Sequence, residues 1–121
     1  RLSQIVKLVG PDALPYTERM VLETTRLIRE GLLQQNATEA VDAYSSVEKQ
    51  IRMLEIVVYF HERGMAIVKR GAPINLIHDL PVVDTIIRAK SSVTNEEMHK
   101  FDDIQKQIDQ QMGQLDAEYR S

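Results

Sequence analysis

The chain has 121 residues, of which 43% are hydrophobic and 27% charged, with a net charge of −3 and no cysteine. This length suits one domain with a core of its own, and a sequence without cysteine excludes disulfides, zinc–thiolate sites and thiol nucleophiles. The negative charge argues against a general nucleic-acid binder, which presents a positive surface. The longest apolar run, residues 56–60, is far shorter than the ~18 residues that span a bilayer.

The first nine residues have the apolar spacing of a helix, carried by Leu2, Ile5, Val6 and Val9. No capping residue precedes them, so we expect the chain to be part of something longer. An abrupt corner follows in VGPDALPYTERM, residues 9–20. Gly10 suits a helix C-terminus, Pro11 cannot continue the hydrogen-bond ladder, and Pro15 is tolerated in the first turn of the next helix.

The second helix is predicted from about Pro15 to Arg29, with residues 32–37 as a short continuation or a separate turn. Residues 38–46 read as a loop that ends in Ser46, a plausible N-cap for the next helix.

The longest helix is predicted over residues 47–70, because apolar residues recur at spacings of four and three. The main stripe consists of Val47, Ile51, Leu54, Val58, His61, Met65 and Val68. A second stripe lies around the side and consists of Met53, Ile56, Val57, Phe60 and Ile67. Two apolar faces predict a helix in the middle of a bundle. The run IVVYF also has the composition of a strand, but the longer 3.6-residue period favours the helix.

Three further helices complete the pattern. Gly71 ends the long helix, Pro73 opens a short one through His78, and another short helix follows Pro81. Thr94 and Glu97 form a capping-box pattern ahead of the last helix. Its narrow apolar stripe consists of Met98, Phe101, Ile104, Ile108, Met112, Leu115 and Tyr119. We therefore predict one all-α domain over residues 1–121, a bundle of about five to six helices with a helix-turn-helix tip.

Catalytic residues are not visible in this sequence. His61-Glu62 begins like a zinc-protease motif, but the position of the second histidine is occupied by Met65, so His61 is predicted to pack in the core. His78 is predicted to cap a helix end, and His99 to lie exposed in a first turn. No GxxxxGK[ST] or GxGxxG phosphate loop occurs. We predict no catalytic residue and no metal site in this chain.

Residues 4–50, QIVKLVGPDALPYTERMVLETTRLIREGLLQQNATEAVDAYSSVEKQ, closely resemble the C-terminal region of the catalytic A subunit of archaeal-type (A/V-type) rotary ATP synthases. That family has a GPDALP corner, a following helix that ends in LQQNAF, and a VD-Y loop. The segment RGAPINLIHDLPV and the long last helix also fit, so the resemblance covers essentially the whole chain. The same register is similar to the β subunit of F-type synthases, whose acidic DELSEED turn occupies the place of residues 12–18.

The resemblance implies a helical bundle below an upstream nucleotide-binding domain, with the corner against the central rotor shaft. The implied shaft contact consists of Gly10, Pro11, Asp12, Ala13, Leu14, Pro15, Tyr16 and Glu18. A turn stiffened by proline transmits force better than a Gly/Ser loop. The alternative is that Leu14 and Tyr16 only staple the second helix to the bundle.

A second implied site lies near the adenine of bound nucleotide and consists of Gln34, Gln35, Asn36, Ala37 and Thr38. The family commonly has an aromatic residue where Thr38 stands. The resemblance implies that the parent protein uses ATP/ADP with Mg²⁺, whereas this chain holds no tightly bound cofactor and is expected to be inactive alone. The implied partners are the rotor shaft and the alternating non-catalytic B subunits, with no nucleic acid and no membrane insertion. The implied location is the cytoplasmic head, peripheral to the membrane.

Two other functions remain as alternatives. A free-standing helical adaptor would bind a partner helix through the Gln-rich last helix. A small four-helix enzyme or metal carrier is disfavoured, because the chain lacks paired Glu-x-x-His motifs.

Overall fold

The computed structural model describes residues 14–33 and 45–120. These ranges form five α-helices and one π-helical segment: α1 Tyr16–Leu27, the π-helical segment Ile28–Leu33, α2 Val47–Val68, α3 Ile74–His78, α4 Pro81–Ser92 and α5 His99–Tyr119. The all-α prediction is confirmed, and the strand reading of residues 56–60 is wrong because they lie within α2. The predicted first helix and the corner as far as Ala13 lie outside the described residues. Within these ranges, no helix has the length and apolar character of a membrane span.

The ends of α2 are set by local chemistry. The side chain of Ser46 accepts a hydrogen bond from the backbone N–H of Lys49 at 3.1 Å, which confirms the predicted N-cap. At the other end the backbone leaves the helix through Gly71, whose φ of 107° strains any residue with a Cβ. Pro73 then precedes α3, and Pro81 is the first residue of α4, as predicted.

Helix α1 runs antiparallel to α2. Met20 packs against Gly64, where an added Cβ would lie 2.4 Å from the Met20 Cε atom. One turn further, Thr24 Oγ1 lies 2.6 Å from His61 Nδ1 in a hydrogen bond. The π-helical segment then approaches the first half of α2, where Leu32 and Met53 line one small cavity. His61 is therefore half-buried and hydrogen-bonded at the α1–α2 contact rather than a fully buried core residue.

Helix α5 runs parallel to α2, and side-chain pairs join them along their length. Arg52 donates to Asp102 at 2.9 Å and to Gln105 at 2.8 Å, and Tyr59 donates to Asp109. Near the last turn of α2, Arg70 pairs with Asp116. Helix α4 runs the opposite way, since the backbone N–H of Val82 near its start donates to Gln111 at 2.9 Å. These contacts occupy part of the Gln-rich surface of α5 inside the domain.

The core uses the second apolar stripe of α2, not the main one. Met53, Ile56, Val57, Phe60 and Ile67 are all at most 4% exposed. By contrast, the first four residues of the main stripe are exposed: Val47, Ile51, Leu54 and Val58. The two stripes predicted a helix in the middle of the bundle, but in the part of the chain that the structure describes, only one apolar face of this half of α2 is covered. The described helices that contact α2, namely α1, α4 and α5, bury its second stripe and leave these four residues exposed.

The last helix follows its predicted stripe, with Phe101, Ile104, Ile108, Met112 and Leu115 buried. The capping-box residues act one turn earlier than predicted. The Glu97 carboxylate accepts from the backbone N–H of Thr94 at 3.0 Å, but α5 begins at His99, which is exposed as predicted. Hydrogen bonds from Lys100 and Thr94 lower the pKa of Glu97 to about 2.

Candidate functional site

The described part of the corner begins at Leu14, two residues before α1. Leu14 is 8% exposed, whereas Pro15 and Tyr16 are exposed. Pro15 occupies the N-cap position of α1 with φ −58° and ψ 154°, an extended conformation that a proline ring supports. Leu14 thus anchors the chain on the bundle, and the two residues that follow it face solvent.

The first turn of α1 presents an aromatic ring and opposite charges at the surface. The Arg19 guanidinium lies 5.7 Å from the centroid of the Tyr16 ring, within the range of a cation–π interaction. Glu18 is exposed in the same turn. A negative charge at this position also interacts favourably with the N-terminal end of the helix dipole. The surface can therefore offer a ring, a carboxylate and a guanidinium to a partner.

A buried carboxylate lies one helical turn beyond Arg19 and joins α1 to α3. Glu23 is 8% exposed and accepts from Arg26 at 2.7 Å and from His78 Nδ1 at 2.8 Å. His78 therefore pairs with a carboxylate on another helix, rather than capping its own helix as predicted. Burial by itself raises the pKa of Glu23, but the hydrogen bonds from Arg26 and His78 outweigh burial and lower the pKa below its usual value.

Glu23→Gln is expected to lower the free energy of unfolding by about 2 kcal/mol at pH 7, because it weakens two partly buried charge-assisted hydrogen bonds. Since the folded-state pKa of Glu23 is lowered, its contribution is present above the unfolded-state pKa of about 4.3 and is lost as pH falls below it. Urea denaturation between pH 7 and pH 3 measures the difference between variant and wild type. The difference in free energy of unfolding should be smaller at pH 3 than at pH 7.

The matched control is Glu18→Gln, which removes an exposed carboxylate from the same helix. Its effect should stay within about 0.5 kcal/mol across this range. A Glu23→Gln difference that is equal at pH 7 and pH 3 would contradict the assigned pKa direction.

An open cavity of about 400 Å³ lies between α1 and α3 and is lined by residues of both helices. Its charged lining includes Arg19, Glu23, Arg26, Arg29 and His78. Glu23 and Glu30 both pair with Arg26, so much of this positive charge is already balanced. Because Arg19 lies both in this lining and in the first turn of α1, the cavity adjoins the exposed surface of that turn.

The predicted adenine-side residues, Gln34–Thr38, lie outside the described residues. The structure does describe the residues on either side of this segment. On one side, Lys90 Nζ donates to the carbonyl oxygen of Leu32 at 3.0 Å. On the other, the backbone N–H of Ser46 donates to the Asn95 side chain at 2.9 Å. Both flanks of residues 34–44 are therefore held by the C-terminal end of α4 and the turn that follows it.

Two buried lysines hold this end of the domain together, and the sequence interpretation missed both. Lys49 is fully buried, and its Nζ donates to the carbonyl oxygen of Lys90 at 2.6 Å. Lys90 is 8% exposed. A signal for Lys49 was present in its register, because it precedes Met53 by four residues and so continues the buried stripe of α2.

Metal ligands do not cluster in residues 14–33 and 45–120, where no group of three His, Asp or Glu side chains could hold an ion. The histidines of this part have other surroundings: His61 bonds to Thr24, His78 to Glu23, and His99 is exposed.

Residues 1–77 match the protein family described as the C-terminal domain of V and A type ATP synthase. The chain is 46% identical over 114 residues to the A subunit of the A-type ATP synthase of Methanopyrus kandleri, covering 94% of this chain and 19% of that protein. It is 38% identical over 115 residues to the corresponding protein of Metallosphaera sedula, covering 94% and 20%. To the V-type ATP synthase alpha chain of Halothermothrix orenii it is 37% identical over 120 residues, covering 99% and 20%. The chain thus spans about a fifth of the length of these curated relatives.

Proposed function

Because this chain belongs to the family of C-terminal domains of V- and A-type ATP synthases, we propose that it couples nucleotide chemistry in an upstream domain to rotation of a central shaft. The domain acts as a lever. ATP synthesis or hydrolysis occurs upstream, the helical bundle moves as one body, and the corner pushes the shaft or is pushed by it. Ion transport follows from that rotation in the assembled complex.

One observation carries the lever mechanism. The two proposed sites flank a single helical rod, since α1 and the π-helical segment run without interruption from Tyr16 to Leu33. These 18 residues span roughly 25 Å. The corner precedes this rod and the adenine-side residues Gln34–Thr38 follow it. A displacement at one site is therefore delivered to the other through a continuous backbone.

The rod is also braced against the rest of the domain. Thr24 bonds to His61 of α2, and Glu23 pairs with His78 of α3. At its far end, the carbonyl oxygen of Leu32 accepts from Lys90 of α4. Contacts to three different helices favour motion of the bundle as a unit over bending of α1 alone.

In this proposal the corner contacts the shaft through its exposed residues, Pro15, Tyr16 and Glu18, together with Gly10–Ala13. Leu14, being buried, serves as the anchor. ATP or ADP with Mg²⁺ is held mainly by the upstream part of the parent protein, and Gln34–Thr38 line the adenine side. The proposed partners are the shaft subunits together with the alternating B subunits of the head, which is peripheral to the membrane and cytoplasmic.

The adaptor alternative has less support. It requires a free polar face on α5, yet Gln105 accepts from Arg52 and Gln111 accepts from the backbone of Val82. These glutamine side chains stabilise the domain itself.

The test uses the assembled complex, because the shaft must be present. Since the chain contains no cysteine of its own, an introduced cysteine is its only thiol. Ala13→Cys or Tyr16→Cys should cross-link to a cysteine placed on the shaft, with a yield that depends on rotor angle. Leu33→Cys, at the other end of the rod and 71% exposed, is the matched control and should not cross-link. Failure of both corner cysteines at every rotor angle would rule out the lever contact.

A further inference from the structure

The C-terminal end of α4 and the turn after it contact the chain on both sides of residues 34–44. On one side, the buried Lys90 ammonium donates to the carbonyl oxygen of Leu32, near the end of the π-helical segment, at 3.0 Å. On the other side, the Asn95 side-chain oxygen accepts from the backbone N–H of Ser46 at 2.9 Å. Two residues only five apart in the sequence therefore hold both flanks of this segment.

Helix α4 is a rigid support for the first contact. One face of the helix lies in the core, where Val82, Val83, Ile86 and Ala89 are each at most 4% exposed. The carbonyl oxygen of Lys90 also accepts from the buried Lys49 Nζ of α2 at 2.6 Å. The backbone of Lys90 is therefore fixed both by the packing of its own helix and by a hydrogen bond from a second helix.

The turn after α4 fixes the second contact. The backbone N–H of Val93 donates to the carbonyl oxygen of Ala89 at 3.0 Å. The backbone N–H of Thr94 donates to the Glu97 carboxylate at 3.0 Å, and the backbone N–H of Glu97 donates back to the carbonyl oxygen of Thr94 at 3.0 Å. These bonds hold the backbone on both sides of Asn95, so its side chain reaches Ser46 from a fixed position.

The π-helical segment also packs closely on α4 at the residue before Leu32. A Cβ added to the buried Gly31 would lie 3.6 Å from the carbonyl oxygen of Ile86 and 3.6 Å from the Cα atom of Ile87. The two backbones are therefore neighbours at this point. Because the Gly31 contact and the Lys90 hydrogen bond act on consecutive residues, together they fix both the position and the orientation of this flank.

Lys90 supplies something that an apolar residue at its position would not. Burial of an ammonium costs free energy that burial of an apolar side chain does not. The hydrogen bond from Lys90 joins residues 58 positions apart in the sequence. Its effect is to fix the distance between α4 and the end of the π-helical segment, which packing of an apolar side chain would leave adjustable.

We propose that Lys90 and Asn95 are positioning residues of the nucleotide site, which set the affinity for the adenine base of ATP and ADP by holding both flanks of residues 34–44. The inference rests on the proposed function for one point, that residues 34–38 line the adenine side. A segment that is held before the base arrives binds it without first being ordered. A loosened flank lowers the fraction of binding-competent molecules, and the affinity falls in proportion to that fraction.

The test measures ATP hydrolysis by the assembled complex that contains the parent protein. Lys90→Met removes the donor on one flank, and Asn95→Ala removes the acceptor on the other. Each should raise KM for ATP about tenfold with kcat unchanged, because binding is weakened equally in the ground state and the transition state. Asn95→Asp keeps a side-chain oxygen for the N–H of Ser46 and should return KM to within about twofold of wild type.

The matched control is Arg88→Met, which removes an exposed cation from the same helix and should change neither KM nor kcat. KM for GTP should rise less than KM for ATP, because the contact that is weakened is the one with adenine. An equal rise for both nucleotides, a fall in kcat with KM unchanged, or an Asn95→Asp variant no better than Asn95→Ala overturns the inference. If Lys90→Met prevents assembly, the two Asn95 variants decide the question.

Failure of this inference is distinguishable from failure of the proposed adenine-side site. The combined variant Gln34→Ala, Gln35→Ala and Asn36→Ala should raise KM for ATP if these residues line the adenine side. If only this variant raises KM, the adenine-side site stands and the positioning role of Lys90 and Asn95 is overturned. If no variant raises KM, both are overturned. If only the flank variants raise it, the flanks act through other residues and the inference is again overturned.

Discussion

Phe60→Ala is expected to lower the free energy of unfolding by about 4 kcal/mol. The Phe60 ring is fully buried in the core between α2 and its neighbours. Truncation removes the transfer free energy of the ring and leaves a cavity that the surrounding helices can only partly close. The total stability of a domain this size is of order 10 kcal/mol, so the change should be plain in a urea titration followed by helical circular dichroism.

Leu54→Ala is the matched control for that result. Leu54 lies on the same helix, but it is 46% exposed and belongs to the main stripe. Its truncation should cost less than about 1 kcal/mol in this chain. If Phe60→Ala prevents folding altogether, Phe60→Leu, with an expected cost of about 1 kcal/mol, keeps the comparison measurable. A loss at Leu54 equal to the loss at Phe60 would mean that the main stripe, not the second, carries the core.

Lys49→Met is expected to lower the free energy of unfolding by about 3 kcal/mol. The buried Lys49 ammonium donates to the carbonyl oxygen of Lys90, near the C-terminal end of α4. Carbonyl groups in the last turn of a helix lack partners within it, and a cation there also interacts favourably with the helix dipole. Methionine fills a similar volume but supplies neither the charge nor the donor, so the buried carbonyl loses this partner.

The control is Lys106→Met, which replaces an exposed lysine of α5 and should change stability by no more than about 0.5 kcal/mol. Hydrogen exchange adds a local measurement. Lys49→Met should raise exchange in the last turn of α4 and in the π-helical segment, whose Leu32 carbonyl is held by Lys90. Stability unchanged from wild type would contradict the capping role of Lys49.

The ends of the helices could be predicted because each depends on neighbouring residues. Ser46 caps α2 through a group three residues away, and Gly71 supplies the positive φ that ends the helical run. The proline positions before α3 and at the start of α4 follow from the same backbone chemistry. The buried face of α5 could also be predicted, because its apolar residues form a single narrow stripe and only that stripe can face the core.

The candidate site was predictable only through its resemblance to a known family. That resemblance predicts two sites, the corner and residues 34–38, which follow the π-helical segment. It did not identify Glu23 and His78, which lie 55 residues apart, or Lys90 and Leu32, which lie 58 apart. Such pairs leave no mark in a local pattern, because each partner also has an ordinary surface role in an isolated helix.

The amino-acid sequence was enough to establish that this protein is helical, where most of its helices begin and end, and to which family it belongs. The packing of the helices was needed to show which stripe of α2 is buried, how α1 is braced, and which lysines cap their neighbours' ends. The difference arises because helix propensity and capping act within one turn of the chain. Burial of α2 depends instead on which side α1, α4 and α5 occupy, and two apolar stripes of equal periodicity carry no information about that choice.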